Sequence, residues 1–309
     1  SDDVSIELGV GGILHDFDYM STEVGSKHQW SIFQSTSAVY WFNALNKRAY
    51  RISSGGEEEL IDMKGMHSFF TSNIDQVLLT RDNPLRVTGV HGTYDSLNQE
   101  VLFTFLNQHS TKEDFTISFS EVAKTWVSFF DFIPRHYMNS RARLLSASPN
   151  INSKIYRHNT GEYLNFYDNY YDFKLKILSN PVSDQTKMFE NITMHTNVRN
   201  EGGYSLDQKT FETVSCYTDY QHSSLITLTP GVNIKRKERE WNLVVPRNVM
   251  AEVGTNLDLF DPANYDLTKP FNDKMRDKYL FQEYTSIGQP DADQFIVNYI
   301  NTYYRVSAR

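Results

Sequence analysis

The sequence predicts an all-β protein. Three observations lead there: apolar residues recur with a period of two in many short runs, β-branched and aromatic residues fill those runs, and short polar connections separate them. Alternate side chains of a strand point to one face, so a period of two lets each run bury one face and wet the other. Short connections join antiparallel neighbours, whereas parallel neighbours need long crossovers.

Taken in order, residues 39–42, 49–52, 101–106, 115–119 and 126–130 read as strands of an antiparallel meander, each bounded by Asn, Asp, Gly or Ser. The same texture continues through 155–158, 163–166, 173–178, 192–196, 211–218, 225–228, 241–245, 279–285 and 295–306. No long amphipathic helical pattern occurs. The least β-like stretch, 256–276, contains Pro262 and Pro270 and reads as an irregular insertion carrying at most a short helix. A weak repeat of a polar turn followed by a strand begins at Asn43, Asp95 and Asn159, a loose spacing compatible with propeller blades. The sequence therefore predicts one β-rich domain over 1–309 made of antiparallel meander sheets, propeller-like, with 295–306 completing a blade begun near the N-terminus. A β-sandwich built from the same short strands is the competing architecture.

Composition narrows the function. With 39% hydrophobic and 14% aromatic residues the chain can bury a core, which disordered chains cannot. Thirty Lys and Arg against 38 Asp and Glu give a net charge of -8, which argues against a sequence-independent grip on nucleic acid. No apolar run reaches the roughly 18 residues of a membrane-spanning helix. The start, Ser1-Asp2-Asp3, lacks Met, a basic segment and an apolar segment, so it reads as part of a longer chain without a secretory signal. Cys216 is the single cysteine, which leaves no intrachain disulfide and suits assembly in a reducing cytoplasm.

Catalytic patterns are weak. Asp16 with Asp18, Asp168 with Asp172, and Asp291 with Asp293 are acidic pairs, but Asp is a common turn residue because it bonds its own local backbone. The nine histidines show no metal-binding spacing on a helix. His15 beside Asp16 and Asp219 near His222 resemble base-and-orienter pairs, yet no serine sits in a nucleophile elbow. Gly9, Gly11 and Gly12 lack the Lys-Ser/Thr of a phosphate loop, and Asn191-Ile192-Thr193 matches a glycosylation acceptor that matters only on a secretory route. We therefore expect no catalytic, cofactor-binding or metal-binding residues.

Two features suit an interface. Lys235, Arg236, Lys237 and Arg239 form the one dense basic run, which reads either as a solvated loop or as a contact for an acidic neighbour or passing DNA. Tyr163, Tyr167, Tyr170 and Tyr171, interleaved with Asn165 and Asn169, suit core packing or subunit contact first and sugar stacking second.

One set of segments resembles a known family. The run from Trp126 to Pro134, then Ile155 to Asn159, Asn165 to Tyr167, Leu178 to Pro181, Met275 to Leu280 and Ile300 to Ser307 is similar to the C-terminal region of the tail muzzle, or stabilisation, proteins of crAss-like bacteriophages. The resemblance covers about residues 30–309 and carries no catalytic signature. It implies a virion component of a short-tailed phage, assembled in the bacterial cytoplasm. Such a component closes the tail as a homo-oligomeric ring, gates release of DNA and cargo proteins, and has other tail proteins as partners. A tail-tip glycan-binding module or polysaccharide depolymerase acting on a host surface glycan is the alternative, and a cellular propeller scaffold a third reading.

Overall fold

The computed structural model describes residues 24–74, 82, 88–107, 111–138, 143–148, 154–219, 221–248 and 273–306. The Gly9–Gly12 turn, the Asp16–Asp18 pair, His15 and nearly all of the 256–276 insertion lie outside them. The chain separates into two compact units, 1–160 and 161–309, where the sequence alone suggested one domain.

The first unit is built from consecutive strands. β1 (Phe33–Gln34), β2 (Val39–Asn43), β3 (Arg48–Ser53) and β4 (Gly56–Glu59) form one antiparallel meander, and β5 (Thr88–Asp95), β6 (Glu100–Asn107), β7 (Phe115–Ser120) and β8 (Thr125–Phe130) form a second. Each has the strand order of a propeller blade, but the described residues of this unit hold two four-stranded meanders against the four or more blades that close a ring. A 3-10 turn at Gln29–Ser31, a short helix α1 (His67–Asn73) and a three-stranded sheet of β9 (His136–Met138), β10 (Leu145–Ala147) and β11 (Ile155–Arg157) complete the described elements. One core joins the two meanders: Tyr40 and Phe42 of β2, Phe70 of α1, Phe103 and Phe105 of β6, and Phe119 of β7 are fully buried. Their rings meet edge to face, Phe42 on Phe105 at 4.9 Å and Phe33 on Phe103 at 5.3 Å, the geometry the aromatic quadrupole favours.

Three loops of this unit share one design. Residues 44–47, 96–99 and 121–124 each span four positions, and in each the last residue has positive φ: Lys47 57°, Gln99 55° and Lys124 52°. The residue before each loop caps it with a side-chain oxygen: Asn43 Oδ1 accepts from Leu45 N at 2.9 Å, Asp95 Oδ1 from Leu97 N at 3.0 Å, and Ser120 Oγ from Ala123 N at 3.1 Å. The turn-then-strand repeat is therefore real at Asn43 and Asp95, and its third member is Ser120. Asn159 instead donates from Nδ2 to Asp95 Oδ2 at 2.8 Å, steadying the second loop.

The second unit begins with a hairpin of β12 (Asn165–Phe166) and β13 (Asn169–Tyr170). Its main body has two antiparallel sheets over one core, the packing of a β-sandwich. The first sheet comprises β14 (Phe173–Ser179), β21 (Leu280–Ser286), β16 (Thr213–Tyr217) and β17 (Ile226–Thr227), in that order. In the second, β18 (Ile234–Lys237) and β19 (Glu240–Val244) lead to β15 (Lys187–Arg199), which also pairs with β20 (Arg276–Asp277) and β22 (Gln294–Val306). Phe189, Ile192, Met194, Ile234, Trp241 and Leu243 of the second sheet share one core with Val214, Cys216 and Tyr284 of the first and with Phe211, which precedes β16. The final strand runs beside β15 from Lys187–Val306 to Arg199–Gln294, so among the described residues it belongs to this sandwich rather than to a blade begun near the N-terminus.

Candidate interface surfaces

The basic run is a strand and a tight turn, not a solvated loop. Ile234 enters the core with no exposed surface, and residues 234–237 pair in register with residues 240–243, so packing and ladder bonds hold the run extended. Glu238 and Arg239 are the two loop residues between Lys237 and Glu240, with φ of 52° and 71°. Positive φ at both positions is the twisted turn that matches the twist of paired strands, although Asn and Gly are its usual occupants. Arg236 donates from Nη2 to Asp207 Oδ1 at 3.2 Å, and its guanidinium lies 6.0 Å from the Trp241 ring. Lys235, Lys237 and Arg239 are exposed.

A cleft of about 920 Å³ adjoins this hairpin. Lys235, Arg236 and Arg239 line it together with Asp207, Asn197 and His195. Its cations are partly balanced by Asp207 and Glu238, so the cleft is polar and mixed in charge rather than a basic patch. His195 is oriented by Asn298, whose Nδ2 lies 3.0 Å from its Nδ1, and stacks at a tilt on Tyr299, which donates from its hydroxyl to Glu240. Asp207, Asn197 and His195 escaped sequence reasoning because they sit 29 to 41 positions before Arg236 and only the sheet order brings them to it.

The four tyrosines do not form one platform. Tyr167 and Asp168 make the two-residue turn of the β12–β13 hairpin with φ of 54° and 65°, and the Tyr167 ring is buried. Tyr163 and Tyr170 are exposed, and Tyr171 is half-buried against Phe166 at 6.1 Å. Tyr170 donates to Glu162, and that bond, which favours the neutral phenol, raises the Tyr170 pKa. The strand expected over 163–166 forms at Asn165 and Phe166 alone, because Leu164 has a φ of 61°.

Among the described residues two serine–histidine side-chain contacts occur, and neither is arranged for nucleophilic attack. Ser215 Oγ lies 3.4 Å from His222 Nε2, but His222 Nδ1 accepts from Ser224 N at 2.8 Å. In the neutral ring that bond leaves the proton on Nε2, which then has no lone pair with which to take one from Ser215. Ser146 Oγ lies 2.6 Å from His158 Nε2 near Asp95, yet Ser146 is fully buried in the middle strand of its sheet. Burial also pushes the His158 pKa down to about 4, which weakens it as a base. Among the described residues no three His, Cys, Asp or Glu side chains gather as metal ligands, and no helix is long and apolar enough to cross a membrane.

Side chains of this kind, committed to turns, cores and an exposed sheet surface, belong to an all-β protein of antiparallel sheets. Comparison with known proteins gives the family. The model of the crassvirus muzzle protein matches residues 1–150, and the model of the crassvirus muzzle protein C-terminal domain matches residues 161–248. The junction between the two matches falls where the two compact units meet. The muzzle protein of Bacteroides phage crAss001 is 23% identical over 258 residues, which covers 81% of this chain and 17% of that protein. The chain belongs to the crassvirus muzzle protein family.

Proposed function

We propose that the chain is a structural, non-enzymatic part of a phage tail, in which copies arranged as a homo-oligomeric ring close the tail and gate release of DNA and cargo proteins. The observation that carries this reading is the match of both compact units to muzzle family models. The physical character of the chain agrees with it. Two aromatic-rich β cores give rigid walls without disulfides, since Cys216 is buried and reduced. A net charge of -8 gives a wall that repels DNA phosphates, so a passing duplex slides rather than sticks. Assembly takes place in the bacterial cytoplasm, and the remaining tail proteins are its neighbours.

Peptide mass spectrometry of gradient-purified particles, paired with antibody labelling under the electron microscope, tests the reading. Stoichiometric peptides with label at the tail end are expected. Peptides confined to infected-cell lysate would overturn it. The polar cleft beside the basic hairpin favours a second reading, a glycan-binding surface at the tail tip. Binding of host capsule by the purified chain would support that reading, and release of reducing ends would make the chain a depolymerase.

A further inference from the structure

Among the described residues the sandwich of the second unit has five strand edges, and four of them are defended against other strands. β14 carries Lys174 and Lys176, β17 and β20 are only two residues long, and β18 carries Lys235, Arg236 and Lys237. Charges, lysine above all, and short length are the devices that keep an unpaired edge from recruiting another chain. β22 lacks them. It is 13 residues long, contains no proline, has Arg305 as its single charge, and among the described residues pairs with β15 alone. Its one irregularity on its own side is the extra residue Asn298, and from Tyr299 to Val306 the strand continues without another. Along that stretch Tyr299, Asn301, Tyr303 and Arg305 alternate on the face away from the core, with Tyr299 38% and Tyr303 53% exposed.

From this contrast we infer that the free edge of β22 pairs antiparallel with β22 of a second copy of the chain, so that the sheet containing β15 continues across a two-fold axis. The charge pattern selects a second copy as the occupant. A strand that pairs with itself sets its own residues opposite one another, and like charges in that position are destabilising. β14 and β18 would oppose lysines to lysines, whereas β22 centred on Asn301 sets Tyr299 of one copy opposite Tyr303 of the other and brings no cation opposite Arg305, which pairs with Glu190 of its own chain at 3.0 Å. Aromatic pairs across strands and the backbone ladder then supply the contact. Such an interface is isologous and closes on itself, so both exposed edges are removed in one step and no open fibre grows. A two-fold contact has no place inside a cyclic ring of equivalent copies, so it would join copies pairwise outside the heterologous contacts that close a ring, and it rests on this strand rather than on the tail reading.

Sedimentation and light scattering of the 309-residue chain test it. The monomer mass is 35.9 kDa, and a mass twice that is expected at roughly tens of micromolar, because an interface of one strand is small. Asn301→Lys and Tyr303→Lys, both on the solvent face, should return the mass to the monomer value while far-ultraviolet circular dichroism stays unchanged. Asn301→Cys gives an independent readout. Cys216 is fully buried, so the introduced thiol is the reactive one, and mild oxidation should lock a covalent dimer through residue 301. A wild-type chain that stays monomeric, a dimer that Asn301→Lys leaves intact, or a dimer that Asn301→Cys does not crosslink would each overturn the inference.

Discussion

The two units reach a buried aromatic core by opposite routes. In the first, every neighbour in the two meanders is also the next strand in sequence, from β1 through β4 and from β5 through β8. In the second, β15 pairs with β22 about 100 residues later, and β14 pairs with β21 across a similar gap. Local pairing closes small loops and costs little chain entropy at each step, whereas distant pairing fixes a long intervening chain before any ladder bond forms. The first unit should therefore fold early and by itself, and the second should wait for its last strand.

Core truncation offers the largest test of that contrast. Phe103→Ala removes a ring touched by Phe33, Phe105 and Trp126, and Trp241→Ala removes the largest fully buried side chain of the sandwich. Each should cost about 3–5 kcal/mol in its own unit. Calorimetry of the whole chain should show two transitions, with Phe103→Ala lowering one and Trp241→Ala the other. A single transition shifted by both substitutions would mean that the units unfold together and would break the comparison.

Acid separates the units next. Burial drives the His91 pKa down to about 3 with help from the nearby His136, drives that of His158 down to about 4, and lowers that of His136, all in the first unit. In the second unit His222 is lowered by burial. A histidine held neutral in the folded state binds a proton only on unfolding. Its contribution is therefore complete above the unfolded value near 6.5 and is lost as pH falls below it toward the folded value. Each such group tilts stability toward a limit of about 1.4 kcal/mol per pH unit. Glu100 and Asp114, raised by burial, act in the opposite sense and offset part of that loss, so the two units are compared over the histidine window from pH 6.5 to 5. Denaturant melts across that window should show the first unit losing stability faster. Equal losses would show that the buried histidines of the first unit do not set its acid sensitivity.

Glycines give a smaller effect with a clear ranking. A Cβ on Gly92 would meet the Phe33 ring at 2.2 Å, and one on Gly288 would meet the Tyr171 carbonyl oxygen at 2.1 Å. A ring can shift by rotation, whereas backbone beside a paired strand cannot. Gly92→Ala should cost about 1–3 kcal/mol as an overpacking change, and Gly288→Ala should cost more and loosen the joint between residues 171 and 288. Hydrogen exchange at Gly288, whose amide donates to Asp172 Oδ1 at 3.0 Å, reports that joint directly.

The same contrast explains what the sequence could reveal. The local strands of the first unit, such as 101–106 and 115–119, were legible because their apolar alternation is complete within one strand. β5 was not, because Gly89, His91 and Gly92 break the pattern, and Gly92 is there to admit the Phe33 ring from β1. β18 carries three consecutive cations, and its strand state depends on Ile234 and on pairing with β19, which no local pattern records. The cleft was half legible: the basic hairpin stands out by composition, while Asp207 and His195 reach it only through the sheet order. The partner of β22 lay beyond sequence reasoning for the same reason, since a period of two says that a strand exists and not which strand lies beside it.

Two tyrosine hydroxyls test the finest grain of the comparison. Tyr40 of the first unit is fully buried and donates to Glu121 Oε1 at 2.7 Å, and the same oxygen accepts from Ser35 at 2.6 Å and Ser37 at 2.9 Å. Burial pushes the Glu121 pKa up, but these donors outweigh it and hold the carboxylate below its ordinary range. Tyr40→Phe removes one donor from a partly buried charge and should cost about 1–2 kcal/mol, with the Glu121 pKa moving up. Tyr170 of the second unit makes a bond of the same kind to Glu162, but both groups face water, which replaces the lost partner at once. Tyr170→Phe should therefore leave stability unchanged. Paired denaturant melts of the two variants measure the difference. A Tyr170→Phe loss as large as that of Tyr40→Phe would mean that the tyrosine-rich hairpin is sheltered by packing rather than displayed at the surface, and its candidacy as an interface would fall with that result.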